Sequence, residues 1–240
     1  MALADHTVRA LKKLAQKFAP RTDVPEKDRW RKLGDDAIWK HFVSQVAVVG
    51  NSSSHARLSA STDAQEALRF DRLRSVSAPE RRRSINETLL SAGVRYASAN
   101  IEKCRKTDAL TRNFEFLSAF PGGPRAYLAF LATLPDDDTR VARLERDMRY
   151  IKLKGARDLL AELGLVTSIV AFDTRLLNIL KALGAQLTSD IRTNSLRYKE
   201  LQDELLTRVC DPIGITGVAL DRILYQHYDV IIAQIDDGNT

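Results

Sequence analysis

The chain is poor in the residues that redox and metal chemistry require. Its two cysteines, Cys104 and Cys210, are too few for a disulfide framework and too few for the four thiolates of an iron–sulfur cluster. The four histidines (His6, His41, His55 and His227) fall at no close ligand spacing. No metal site and no cofactor are therefore expected. No run of eighteen apolar residues occurs, so no membrane-spanning helix is expected. The opening stretch MALADHTVRALKKLAQKF has no signal-peptide apolar block and reads as an amphipathic helix. A cytoplasmic location is the expectation, at the nucleoid if the source is bacterial or archaeal. Glycine and proline are scarce as well, with 11 and 7 in 240 residues, which leaves room for long periodic segments.

What is present is helical periodicity and positive charge. Val8, Leu11, Leu14, Ala15 and Phe18 follow the three–four spacing of one helix face. Asp35 and Asp36 suit the cap of a second helix bearing Ile38, Phe42, Val46 and Val49, closed by Gly50 and the polar turn Asn51 to Ser54. Helical pattern continues over 64–73, 79–90, 97–104, 111–120 and 124–134, with "FPGGP" as a sharp break at 120–124. Asp136 to Asp138 open a helix reaching Tyr150, and further helices are expected over 198–209 and 216–235. No convincing set of strands appears. The fold class is all-α, and the length suits one large unit or two lobes. The formal net charge of +6 favours polyanionic partners through counterion release. Arg81 to Arg83 form a short basic run that suits a solvated face or phosphate contacts.

Residues 148–180, MRYIKLKGARDLLAELGLVTSIVAFDTRLLNIL, hold a more specific arrangement. Lys152 and Lys154 stand at the mouth of a short helix carrying Ala156, Leu159, Leu160 and Leu163, which Gly164 ends. Ile169 to Phe172 form an apolar connector. Asp173 then precedes a helix over 174–183, closed by Gly184. An aspartate in that position is ordinarily an N-cap, and a lysine before a helix is ordinarily solvated.

The order of these parts resembles the helix-hairpin-helix DNA glycosylase superfamily, closest to the type 2 8-oxoguanine DNA glycosylase/lyases. Lysine and aspartate stand nineteen residues apart, near that family's spacing, and the lysine lies two residues before Ala156, as in bifunctional members. "HFVSQVAVVGNSSSHARL", "GVRYASANIEKCR" and "YKELQDELLTRVCDPIGITGVALDRILYQHY" are similar to other segments of that branch and occur in the same order. The resemblance spans about Phe42 to Tyr228. It implies one helix-hairpin-helix unit over 1–240, with two helical lobes around a DNA-binding cleft and the hairpin and catalytic segment at about 138–185. It also implies damaged DNA as the partner, a monomer, and base-excision glycosylase activity with an associated lyase step.

For site residues, the resemblance implies Lys154 as the amine that attacks C1′ to form a Schiff base, with Lys152 as its rival. Asp173 is implied as the carboxylate that stabilises positive charge developing on the sugar. A free lysine has a pKa of about 10.4. A helix mouth and desolvation would depress it and an ionised aspartate would raise it. Tyr225 is the candidate for stacking on an extruded base, or else a core tyrosine. Asn51 suits a base or opposite-strand contact, or else a cap. Asp221 suits orientation of pocket groups, or else capping. Arg175 suits a phosphate contact.

The chain also departs from the pattern. Tyr150 and Lys152 occupy hairpin positions where the family has glycines, with Lys152 able to offer a charged contact to DNA instead. Thr174-Arg175 replaces an Arg-His pair. The chain runs on past Tyr225 to Thr240, which implies a lesion other than 8-oxoguanine. The altered hairpin keeps open a catalytically inactive DNA-binding protein, and a helical interaction module without a DNA role is the third reading.

Overall fold

The computed structural model describes residues 3–49 and 52–238. Among them, regular structure is helical throughout. No helix among them is long and apolar enough to cross a membrane. The chain divides into two compact units: Met1–Lys27 together with Leu153–Thr240, and Asp28–Lys152.

The first unit begins with α1 (Asp5–Phe18), whose predicted face of Val8, Leu11, Leu14, Ala15 and Phe18 is buried. The chain then builds the middle unit from α2 (Asp35–Val48), α3 (Ser52–Ala60), α4 (Thr62–Ala67), α5 (Phe70–Ser75), α6 (Ala78–Ser91), α7 (Arg105–Ala119), α8 (Gly123–Ala132) and α9 (Asp137–Asp147). It re-enters the first unit through α10 (Leu153–Glu162) and α11 (Thr174–Ala182). That unit is completed by α12 (Ser195–Leu205), a π-turn at Leu206–Cys210, the single-turn α13 (Asp211–Ile213), α14 (Gly217–Gln226) and α15 (Tyr228–Asp236).

In the middle unit the core is aromatic. Trp39 meets Phe114 edge-on at 5.6 Å and Phe70 at 6.2 Å, while Phe70 and Phe114 lie 4.9 Å apart. Trp39 Nε1 donates to Leu68 O at 2.9 Å, so the ring is held as well as buried. Asp35 and Asp36 were expected to cap α2, but Gly34 occupies that position. Their carboxylates serve other helices: Asp35 accepts from Arg125 N at 2.9 Å in the first turn of α8, and Asp36 from Asp71 N at 3.1 Å in the first turn of α5. Gly50 and Asn51 lie outside the described residues.

Three further expectations are corrected. Residues 97–104 form only a 3₁₀ turn at Ile101–Lys103. Ser98 Oγ accepts Asn100 N and Asn100 Oδ1 accepts Glu102 N, both at 3.2 Å, so short polar side chains take the amides a helix would have used. The expected helix over 64–73 is broken into α4 and α5, with Arg69 between them in an extended conformation. The basic run is largely structural: Arg81 donates to Leu73 O and Val76 O, and Arg82 to Ile101 O and Glu102.

In the first unit, α1 packs with the C-terminal helices. Thr7 Oγ1 donates to Leu183 O at 2.6 Å, and Phe18 stacks on His227 at 4.6 Å. The expected helix over 216–235 is broken at His227 into α14 and α15.

Candidate active site

The segment leading into the site is fixed from α7. Asn113 Oδ1 accepts Arg149 N at 2.7 Å and its Nδ2 donates to Arg149 O at 3.0 Å, clamping the turn after α9. The next residue, Tyr150, has φ +65°. It therefore keeps the left-handed backbone that a glycine adopts freely, at a cost of roughly 1–2 kcal/mol. The turn survives its non-glycine residue because the clamp and the following chain determine it. Lys152 is exposed and belongs to this middle unit.

Lys154, Asp173, Tyr225, Asp221 and Arg175 all belong to the other unit. Lys154 is the second residue of α10, with its apolar face of Ala156, Leu159 and Leu160 buried. Its side chain is 39% exposed, and Nζ stands 3.3 Å from Asp158 Oδ2, one turn along the same helix. The carboxylate paired with Lys154 is thus Asp158 rather than Asp173.

Asp173 caps α11, with Oδ1 accepting Leu176 N at 2.8 Å. Oδ2 accepts no hydrogen bond from the described residues. Capping uses one oxygen and leaves the other for a ligand, so the structural and chemical readings of Asp173 are compatible.

The connector before Asp173 is buried throughout, from Ile169 to Phe172. Buried backbone needs partners, and α12 supplies them. The Tyr198 hydroxyl accepts from Phe172 N at 2.8 Å and donates to Val170 O at 2.9 Å. Burial pushes that phenol upward, so it stays protonated and able to donate. Gln202 Oε1 accepts both Val170 N and Arg157 Nε at 3.2 Å. Arg157 also lies 4.3 Å above the Tyr198 ring. Tyr198 and Gln202 therefore tie the helix bearing Lys154 to the connector ending in Asp173.

The helix α14 closes against the same connector. Val218 N donates to Thr167 O at 3.1 Å. A Cβ on Gly217 would stand 2.6 Å from Ile169 O and 2.8 Å from the Leu206 side chain, so only glycine fits there.

One turn along α14 lies Asp221, 6% exposed. It is no cap, since Thr216 caps α14. No described residue hydrogen-bonds to its carboxyl group. Burial pushes its pKa up to about 7, helped by Asp158 and Asp173 and opposed by Arg222 and Lys154. The ion pairs Lys154–Asp158 at 3.3 Å and Asp158–Arg222 at 3.8 Å bring the first turn of α10 to α14 beside Asp221, and Gln202 bonds α10 to the connector that ends in Asp173. Among the described residues no group of His, Cys, Asp and Glu is arranged to hold a metal ion.

Tyr225, a further turn along, is 43% exposed and not a core residue. Arg175 lies 4.8 Å above its ring and donates to Tyr225 O at 3.4 Å. Of the residues expected from sequence, Asn51 lies outside the described residues. Asp158, Arg157, Tyr198, Gln202 and Arg222 were not anticipated. The four-residue spacings of Lys154–Asp158 and Tyr198–Gln202 were the available signals.

No family model and no curated protein matches the sequence. Solved structures do match. The 8-oxoguanine DNA glycosylase of Methanocaldococcus jannaschii aligns with TM-score 0.67 at 12% identity, over 92% of this chain and 94% of that one. The M. jannaschii 8-oxoguanine glycosylase/lyase in complex with 15mer DNA containing 8-oxoguanine aligns with TM-score 0.64 at 12% identity, over 92% and 97%. The 8-oxoguanine DNA glycosylase of Thermotoga maritima aligns with TM-score 0.61 at 16% identity, over 91% and 92%. At such identities the likeness is one of fold, and the fold is the all-α architecture of these DNA glycosylases.

Proposed function

We propose that this protein is a base-excision DNA glycosylase with an associated lyase step, acting on an oxidised purine. The observation that supports the reading is a chain of ion pairs from Lys154 through Asp158 to Arg222, next to the buried carboxyl of Asp221, with α10 tied to the connector that ends in Asp173. It occurs within a fold shared with 8-oxoguanine glycosylases.

A base stacked in a duplex is out of reach, so the target is extruded at a cost of a few kcal/mol. Tyr225 offers an exposed ring for the extruded base, and Arg175 beside it offers charge to a neighbouring phosphate. Asp221 gains from a ligand the hydrogen bonds that the protein withholds. Near neutral pH it can give or take a proton at the base edge.

As the bond to the base lengthens, positive charge grows on the deoxyribose. The free Oδ2 of Asp173 stabilises that charge. Lys154 Nζ attacks C1′, the pair of the C1′–N bond leaves with the base, and the resulting Schiff base permits β-elimination of the 3′ phosphate.

Borohydride trapping on abasic-site DNA tests the reading. Wild-type protein is expected to form a covalent adduct and Lys154→Ala none. Loss of the adduct in Lys152→Ala alone would transfer the nucleophile to the rival lysine. Salt-dependent DNA binding without adduct or cleavage would instead support a catalytically inactive DNA-binding protein, the reading favoured by Tyr150 in the hairpin.

A further inference from the structure

The proposed reaction needs Lys154 as a free amine, yet that amine is engaged. Asp158 Oδ2 stands 3.3 Å from its Nζ. The same carboxylate stands near a second cation: Asp158 Oδ1 lies 3.8 Å from Arg222 Nη2, and that Nη2 lies 2.9 Å from Glu162 Oε2. The Arg222 side chain is 15% exposed, and its Nε is buried without an acceptor. A buried donor left without an acceptor is unfavourable. Arg222 therefore has an unfilled place for a carboxylate oxygen, next to one already within 4 Å.

We propose that Asp158 is a positioning residue that exchanges cations. It holds Lys154 as an ammonium in the free protein and passes to Arg222 when an extruded nucleotide covers the site, releasing the amine. The inference rests on the glycosylase–lyase reading and adds a control on its nucleophile. The driving force is desolvation. Lys154 is partly open to water, which screens its ion pair. Once water is expelled, the planar guanidinium holds a carboxylate with two parallel donors, which an ammonium cannot do. The ammonium then loses its partner and its hydration together, and one proton leaves Nζ for a base in bulk solvent, such as hydroxide or a buffer anion. The freed lone pair forms the N–C1′ bond, the C1′–base bond breaks, and its electron pair leaves with the base.

The charged groups gathered about the exchange are Asp158, Glu162 and the inward-turned Arg157 on α10, Asp221 and Arg222 on α14, and Asp173 at the mouth of α11. Asp158 is the member shared between the two cations.

The test is the pH dependence of borohydride trapping on abasic-site duplex DNA, with thermal melts to confirm folding. Asp158→Asn and Asp158→Ser are expected to move the rising limb to lower pH, with up to about fivefold more adduct at neutral pH. Arg222→Gln is expected to move it to higher pH, and Arg222→Lys to restore it in part. A general loss of structure would lower the plateau without moving the midpoint in opposite directions for the two positions. Coincidence of the Asp158→Asn profile with wild type, or its fall at every pH, would overturn the exchange while leaving the wild-type adduct, and so the glycosylase–lyase reading, intact. Absence of adduct in the wild type would remove that reading and the exchange together.

Discussion

Lys106 in the middle unit and Asp221 in the other are both ionisable groups sealed among helices, and they are served in opposite ways. Lys106 is 0% exposed, and its Nζ donates to Ala47 O at 2.9 Å and Val49 O at 2.7 Å. Those carbonyls are among the last of α2, which no helical amide can reach, so the lysine acts as a C-terminal cap threaded through the core. Burial pulls its pKa down to about 8. Asp221 is nearly as buried but has no hydrogen-bond partner among the described residues, and burial pushes its pKa up to about 7. A sealed charge with its bonds made is part of the scaffold. A buried carboxyl group without a protein partner is open to hydrogen bonds from a ligand.

Four experiments would break or sharpen this contrast. The largest effect is expected from Lys106→Ala, which leaves two carbonyls unsatisfied and opens a cavity; urea titration should show a loss of about 3–4 kcal/mol. Asp221→Ala should do the reverse. Single-turnover base release is expected to fall at least about tenfold, with no loss of stability. A destabilised Asp221→Ala with unchanged chemistry would make Asp221 a second scaffold residue.

The pH dependence of stability comes next. Asp221 binds its proton more tightly folded than unfolded, so stability should decline as pH rises from about 4 to 7. Lys106 holds its proton less tightly folded, so stability should climb as pH rises from about 8 to about 10.4. The slopes are expected to be worth about 4 and about 3 kcal/mol and to vanish in Asp221→Asn and Lys106→Met respectively. Least of all, Tyr150→Gly relieves a left-handed backbone and should change stability by under about 1 kcal/mol. If it instead strengthens DNA binding, the tyrosine side chain is what obstructs the hairpin.

Much of the local structure around the candidate site was legible because its signals are local. The lysine before a short amphipathic helix, the apolar connector, the capping aspartate and the two closing glycines each obey rules that operate within a few residues. Gly164 and Gly184 indeed have φ of +68° and +88°. What stayed hidden depends on remote partners. Nothing near Asp35 or Asp36 tells that they serve α8 and α5, and nothing near Arg157 tells that Gln202 awaits it. Asp158 was within view, one turn from Lys154, but its meaning depends on Arg222, sixty-four residues away. Residues 97–104 misled because the apolar periodicity was present while Ser98 and Asn100 competed for the backbone.

The bare backbone at Gly217 gives the molecule a common point of reference. The strand of chain that delivers Asp173 and the helix that delivers Asp221, Arg222 and Tyr225 touch there with no side chain between them. A methyl group added at that spot would displace all four residues together, so the spacing between the connector's acid and the α14 side chains is set by a single measurement.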